Sequence, residues 1–280
     1  MTFTTVNWNT IEDEFDEYVW DKATAQFWLD TRVPVSHDLA TWRTLSPTEK
    51  DVINKAVGGL ALLDTLQSEE GVNVMREDAR TRKEAAVIND FLMMESIHAK
   101  SYGTILISLN DQKTINAVYD WMNNDPRMQY KARVINEIYQ TGNNIEKKVA
   151  SVFLEGILYY TNFFTPLWYR GNNKLANLSE IIKLVIRDES VHGTYLATSS
   201  NSASTSSPMP RRRPSKPGWT TYSTTCSKTN SPLATPYTRR SGWPMRSNNS
   251  CAITPTSPCR TWASLPASST PRSKTSTRSS

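Results

Sequence analysis

The chain has 280 residues, of which 38% are hydrophobic and 21% are charged, so it is long enough to bury a substantial core. No apolar run approaches the roughly 18 residues that a transmembrane helix needs, which argues against an integral membrane protein. The first ten residues, MTFTTVNWNT, lack a basic segment followed by an apolar stretch, so no secretory signal is expected.

The net charge of +5 is an average over two unlike segments. Residues 197–280 carry twelve Lys or Arg and no Asp or Glu. Residues 1–196 therefore carry 20 basic and all 27 acidic side chains, a net charge of −7. All three cysteines lie in residues 197–280, which excludes disulfides and thiolate zinc sites from residues 1–196 and fits a cytoplasmic location.

Residues 197–280 are rich in Ser, Thr, Pro and Arg and follow neither a helical nor a strand period. Such a composition does not offset the entropy lost on ordering, which predicts a disordered segment. The only dense basic cluster is RRRP at residues 211–214, and the aromatic residues have no base-stacking spacing, so nucleic-acid binding is not expected. The abrupt change in composition supports a second interpretation, translation of a shifted reading frame.

Residues 1–196 follow a helical pattern almost throughout. The first long helix is predicted to begin at Pro47, with Ser46 as its N-cap. Apolar residues then recur every three or four positions. Further helices are predicted over residues 84–109, 131–140, 145–164 and 178–196. Because the sequence has no convincing strand alternation and no glycine-rich phosphate loop, the predicted fold is an all-α bundle.

Six ionisable side chains interrupt the apolar faces of these helices. They are Asp64, Glu95, His98, Glu155, Glu189 and His192. A lone buried carboxylate costs several kcal/mol unless it is paired, protonated or bound to a metal. Any single acid is compatible with a solvated helix face or a satisfied polar group in the core, but six together indicate a site.

The spacing of these residues indicates what kind of site they form. Glu95 and His98, like Glu189 and His192, form a Glu-x-x-His pair on one helical face. Asp64 precedes the first pair by 31 residues and Glu155 precedes the second by 34. This is the ligand pattern of a dinuclear carboxylate site in a ferritin-like four-helix bundle, with Asp in place of the first Glu. Four carboxylates balance two divalent cations, and these donors suit iron or manganese.

An oxidisable side chain lies next to the predicted ligands. Tyr102 follows His98 by about one helical turn, although a helical tyrosine is more often a core or interface residue. Tyr159 and Phe163 share the face of Glu155, and Val185 shares the face of Glu189. These side chains are predicted to exclude water from a pocket, which a long-lived phenoxyl radical requires. Ferroxidase chemistry instead requires a route for ions.

Residues 6–196 resemble the radical-generating small subunit of class Ib ribonucleotide reductase. The resemblance is carried by the strings FWLDTRVPVSHDLATW, MESIHAKSYG, NFFTPLW and IIKLVIRDESVHG. It implies that the six residues above are the ligands of two metal ions and that Tyr102 carries the radical. It also implies a radical-transfer chain of His98, Asp188 and Trp28. Without the resemblance, Asp188 would be read as a solvated partner of Arg187, and Trp28 as a core residue. Trp20 and Trp42 are competing candidates for the tryptophan of the radical-transfer chain.

The resemblance also implies a reaction and its partners. Two reduced manganese or iron ions react with an oxygen species, Tyr102 becomes a radical, and a separate large subunit uses that radical to reduce ribonucleoside diphosphates. The expected assembly is a homodimer with the large subunit, and with a flavodoxin-like activator if manganese is used. Two alternatives remain open: a ferritin-like oxidase without a large subunit, and a metal-storage or ferroxidase bundle. Because the resemblance stops near residue 196, residues 1–196 are expected to be a ferritin-like domain that is incomplete at its C-terminal end.

Overall fold

The computed structural model describes residues 4–206, with side chains as far as residue 200. All regular structure in this part of the chain is helical. The α-helices are, in chain order, α1 (Glu14–Ala25), α2 (Leu39–Thr44), α3 (Pro47–Leu66), α4 (Val72–Glu77), α5 (Arg82–Leu109), α6 (Gln112–Asn124), α7 (Pro126–Thr141), α8 (Asn144–Phe153), α9 (Tyr159–Gly171) and α10 (Ala176–Ser206). Short 3₁₀ turns cover Asp30–Arg32 and Val35–Asp38, and π-helical turns cover Gln67–Gly71 and Leu154–Leu158.

The helices begin where the sequence supplies capping side chains. Ser46 and Glu49 form a reciprocal capping box at the start of α3, so the predicted start at Pro47 is confirmed. Asn143 and Glu146 form a second capping box at α8. Asp125 caps α7 through the backbone amides of its first turn, so this helix starts five residues before the predicted position.

Two further predicted helices differ from those observed. The helix predicted over residues 145–164 is a continuous helical run of α8, the π turn at Leu154–Leu158 and α9, which ends only at Gly171. The predicted end of the last helix at residue 196 is ten residues too early. The hydroxyls of Thr198, Ser199 and Ser200 bond back to carbonyls three or four residues earlier, so Ser-rich sequence continues the helix locally.

Four helical segments form the bundle that carries the site. Helix α3 packs against α5 and α9, and α10 packs against α8 and α9. Their apolar faces form one large buried cluster in the interior of the bundle. A smaller cluster between α1, α4, α5 and α10 attaches α1 to the outside of the bundle. The prediction of an all-α, ferritin-like bundle is confirmed.

Within residues 4–206, none of the helices combines the length and the apolar character needed to cross a bilayer. Of the segment predicted to be disordered or frameshifted, residues 197–280, the first ten residues continue α10, and residues 207–280 lie outside the described part of the chain. That prediction therefore stays a prediction.

Candidate metal centre

The bundle brings all six predicted ligands together at its centre. Helix α3 supplies Asp64, the π turn between α8 and α9 supplies Glu155, and helices α5 and α10 each supply one Glu-x-x-His pair. Each of the six side chains is at most 3% exposed. Residues that are up to 128 positions apart in the sequence thus share one buried pocket.

The ligand atoms form two overlapping sets. Asp64, Glu95, His98 and Glu189 offer atoms that all lie within 4.8 Å of one another, and so do Glu95, Glu155, Glu189 and His192. Glu95 and Glu189 belong to both sets. His98 Nδ1 lies 3.1 Å from Glu189 Oε1, and His192 Nδ1 lies 2.9 Å from Glu95 Oε1. Two sets with two shared carboxylates are the arrangement of a dinuclear site.

Unpartnered buried atoms test whether metal ions fit this pocket. Seven ligand atoms have no hydrogen-bond partner among the described residues: Asp64 Oδ1 and Oδ2, Glu95 Oε2, His98 Nδ1, Glu155 Oε2, and Glu189 Oε1 and Oε2. Unpaired carboxylate oxygens in a dry core cost several kcal/mol each. Divalent cations would satisfy all seven atoms, and the four carboxylates would balance two of them. The residues present therefore fit two manganese or iron ions.

The acids and histidines of the pocket strongly influence one another's ionisation. Burial, together with the charge of Glu95, holds the pKa of Asp64 well above its usual range. Burial and the charge of Glu189 do the same for Glu155. The pKa values of His98 and His192 are well above normal because hydrogen bonds to the neighbouring acids outweigh the effect of burial.

A polar network outside the ligand set holds Glu155 in place. Gln67 donates a hydrogen bond to Glu155, and the Ser151 hydroxyl donates a second bond of 2.8 Å to the same oxygen, Oε1. The Tyr139 hydroxyl donates to Gln67 Oε1 at 2.6 Å and so orients the amide. Sequence reasoning missed these residues. The available signal was that Gln67 lies three positions after Asp64, and Ser151 four positions before Glu155, on otherwise apolar faces.

Tyr102 lies in the apolar part of the same pocket. Its side chain is fully buried and its hydroxyl has no hydrogen-bond partner among the described residues. Burial, and next the charge of Asp64, raise its pKa well above the usual value. Tyr159, Phe163 and Val185, the three side chains predicted to exclude water, are each at most 1% exposed. The Tyr159 hydroxyl is also buried and unpartnered, so the pocket contains two phenols.

A hydrogen-bonded chain leads away from His98. His98 Nε2 lies 3.2 Å from Asp188 Oδ2, and Trp28 Nε1 donates to the same oxygen at 2.6 Å. The Trp28 and His98 rings are stacked with centroids 5.8 Å apart. Arg187 donates to the other oxygen of Asp188, which is only 4% exposed and so is not a solvated partner of that arginine. The structure brings Trp28, Asp188 and His98 together across 160 residues of sequence.

Comparison with known proteins gives one family. The sequence profile of the ribonucleotide reductase small chain matches residues 5–217. The subunit beta nrdF1 of the ribonucleoside-diphosphate reductase of Mycobacterium tuberculosis H37Rv is 41% identical over 191 residues, which are 68% of this chain and 59% of that protein. Subunit beta of the Escherichia coli K12 ribonucleoside-diphosphate reductase 2 is 40% identical over 191 residues, with 68% and 60% covered. The chain thus spans about three fifths of the length of these curated relatives.

Solved structures agree with the sequence comparison. The crystal structure of Streptococcus sanguinis dimanganese(II)-NrdF has a TM-score of 0.83 and 49% sequence identity, with 86% of each chain covered. A putative class I ribonucleotide reductase from Bacillus halodurans has a TM-score of 0.71 at 22% identity, covers 81% of this chain and 82% of its own, and supports the fold alone. The profile match over most of the chain, together with these similarities, identifies the chain as a member of the ribonucleotide reductase small-chain family, in its class Ib or NrdF-type branch.

Proposed function

We propose that this chain is the radical-generating small subunit of a ribonucleoside-diphosphate reductase. The six buried residues Asp64, Glu95, His98, Glu155, Glu189 and His192 are the proposed ligands of two manganese or iron ions. The observation that carries the proposal is the pair of ligand sets with two shared carboxylates, beside a buried and unpartnered phenol. The bound metal ions would supply one-electron oxidising power.

The chain's own residues have three roles in this reaction. Tyr102 loses an electron and its phenolic proton, and Asp64, the acid whose charge acts on it most strongly, is the nearest candidate to accept the proton. The apolar wall around Tyr102 excludes water and so protects the radical. Trp28, Asp188 and His98 are hydrogen-bonded in series and provide the proposed route along which an electron moves from Trp28 inward to the centre when the radical is passed to the large subunit.

The proposed partners follow from these roles, because this chain forms the radical and another protein must use it. The large subunit carries the substrate site and uses the radical to reduce ribonucleoside diphosphates, and the small subunit acts as a homodimer. With manganese, a flavodoxin-like activator supplies the oxidant. We place the reaction in the cytoplasm, which the absence of cysteine from residues 1–196 supports.

The test is spectroscopic and compares three proteins. Wild type loaded with iron(II) and exposed to air should give a sharp phenoxyl absorption and a radical resonance. Tyr102→Phe should load the same amount of metal and give no radical, because it keeps the ring and loses the oxidisable hydroxyl. Tyr159→Phe is the matched control, since it removes the other buried phenol and should keep the signal.

Other results would contradict the proposal. A radical that persists in Tyr102→Phe and disappears in Tyr159→Phe would move the radical to Tyr159. Wild type that accumulates iron far beyond two ions per chain and forms no radical would favour the metal-storage alternative. A radical that forms normally but supports no nucleotide reduction with the large subunit of a class Ib enzyme would favour the oxidase alternative.

A further inference from the structure

A small cavity lies beside the metal centre, outside the ligand set. The end of α1 with the residue that follows it, helix α5 and helix α10 enclose it, and its polar wall consists of Gln26, Asp90, Asp188 and His192. Its volume is about 10 Å³. On the same measure one water molecule needs roughly 10–15 Å³, so the cavity is the size of a single water.

Two of its wall residues carry hydrogen-bond acceptors without a donor. Asp90 Oδ2 and Gln26 Oε1 are both buried, and neither has a partner among the described residues. The Asp90 side chain is on α5, five residues before Glu95, and the residue is only 6% exposed. Gln26 is held in place through its backbone, because Arg187 donates a 2.6 Å hydrogen bond to its carbonyl oxygen. Both residues thus line the same small space with a buried acceptor that has no donor among the described residues.

His192 also lines this space. Its Nδ1 faces Glu95 and Glu189, at 2.9 and 3.7 Å. Because the two ring nitrogens of an imidazole lie on different edges, Nε2 points away from the ligand set. The ring itself is part of the cavity wall. Asp90 is part of the same wall.

The two histidines of the centre differ in their outer partners. His98 has a direct one, since its Nε2 lies 3.2 Å from Asp188 Oδ2. A histidine that binds a metal through one nitrogen normally donates from the other to a carboxylate, a carbonyl or a water, which fixes its tautomer and orientation. For His192, the cavity and the two unpartnered acceptors are found where His98 has its outer partner Asp188.

We propose that Asp90 and Gln26 hold one ordered water against Nε2 of His192, and that Asp90 thereby positions His192 for its metal ion. The Nε2–H of His192 donates to the water oxygen, and the water donates its two hydrogens to Asp90 Oδ2 and Gln26 Oε1. This arrangement keeps the Nδ1 lone pair on the side of the ligand set. The inference rests on the proposed function, because it assumes that His192 binds a metal ion.

The experiment compares two substitutions at one position. Asp90→Leu keeps the approximate size of the side chain and removes both oxygens, whereas Asp90→Asn keeps an acceptor for the water. The affinities are measured in anaerobic manganese(II) titrations followed by the electron paramagnetic resonance of the free ion. Asp90→Leu should weaken the binding of one of the two ions by about 10- to 100-fold. Asp90→Asn should stay within about threefold of wild type. A crystal structure of the manganese-loaded wild type should contain one water between the three side chains.

Controls separate positioning from a loss of folding. Asp30→Leu removes another buried carboxylate, one that bonds to Thr104 and Lys100 on α5, and should change neither manganese affinity. If Asp90→Leu does not fold, Gln26→Leu provides the same comparison from α1. Normal binding of both ions in the folded leucine variant, or a wild-type crystal structure without the water, would overturn this inference alone. Wild type that binds neither manganese(II) nor iron(II) would overturn the proposed function as well.

Discussion

Glu95 and Glu189 face both ligand sets of the metal centre, whereas Asp64 and Glu155 each face one. Substitutions of these acids should therefore differ in effect. Glu95→Ala removes an oxygen donor from both sets, so we expect weak binding of both ions and fewer than one metal per chain after desalting. Glu155→Ala affects one set, so about one metal should remain.

Metal analysis of the desalted proteins checks this expectation. Glu180→Ala, which removes a half-exposed acid from helix α10, is the control and should retain two ions. Two tightly bound ions in Glu95→Ala would mean that the proposed ligand set is wrong.

The grouping of the six residues could be predicted from the sequence because helical geometry is local. An i, i+3 pair must share a helix face, and two such pairs with two further acids form a recognisable pattern. The choice of Trp28 over Trp20 or Trp42 could not be made from spacing. It depends on a hydrogen bond to Asp188 across 160 residues, which only the packing of the turn after α1 against α10 determines. The proximity of Asp90 and Gln26 could not be predicted either, because it too depends on packing between segments that are distant in sequence.

At the level of secondary structure, one π turn follows the proposed ligand Asp64 by three residues, and the other contains the proposed ligand Glu155. Gly71 ends the first π turn and is closely packed. A Cβ atom at this position would lie 2.6 Å from the Tyr139 ring and would also clash with the Gln67 amide. Gly71→Ala should therefore destabilise the protein by about 1–3 kcal/mol, since it overpacks the network that holds Glu155.

A second glycine provides the control for this prediction. Gly156 lies in the other π turn, and a Cβ atom there would have no neighbour within 4 Å among the described residues. Gly156→Ala should be neutral or stabilising by up to about 1 kcal/mol, as expected in a helix. Urea unfolding of both variants measures the difference, and equal stabilities would contradict the packing argument.

The π turns themselves were not predictable. Hydrophobic periodicity predicts a single helix through residues 145–164, and the observed run is indeed continuous. A π turn contains one residue more than an α-helical turn, so it shifts the phase of the hydrophobic pattern along the helix. Short apolar stretches define that phase too weakly for the shift to be recognised in the sequence. Helices α1, α2, α4 and α6 were not predicted individually. Six residues, as in α2 and α4, are too few to show a period.

A buried ion pair connects the start of α5 to α8. Lys148 Nζ lies 2.7 Å from Glu84 Oε1, and both side chains are fully buried. Burial opposes ionisation of Glu84, but the contact with Lys148, together with hydrogen bonds from Arg80, outweighs it, so its pKa lies below the ordinary value of 4.5. The pair therefore stabilises the fold above pH 4.5, and this stabilisation is lost as the pH falls through the lower pKa of the folded state.

Glu84→Gln should accordingly be less stable than wild type by about 3 kcal/mol at pH 7, because it leaves Lys148 as an uncompensated buried charge. The difference should narrow below pH 4.5. Urea unfolding of the metal-free proteins at several pH values measures it. Glu180→Gln breaks a half-exposed pair with Lys183 and should cost less than about 0.5 kcal/mol at any pH. A constant difference down to low pH would contradict this account.

For the whole molecule, the bundle could be predicted, but its continuation could not. Composition divides the chain near residue 196, where acidic residues stop. If residues 197–280 derive from a shifted reading frame, the intact mass of protein from its native cell should differ from 31.7 kDa. A shift of one base near codon 197 should restore acidic, helix-forming sequence. A native mass of 31.7 kDa, with reductase activity on addition of the large subunit, would contradict the hypothesis.

All six proposed ligands and Tyr102 lie in continuous helical segments, so the phase of each helix determines where they point. One inserted residue between Glu95 and Tyr102 would rotate the phenol by about 100° about the axis of α5 and turn it away from the ligands. The turns at residues 110–111, 142–143 and 172–175 hold none of these side chains. Over evolutionary time, insertions and deletions are therefore tolerable in those turns, while the intervals inside α5 and α10 must keep a fixed length.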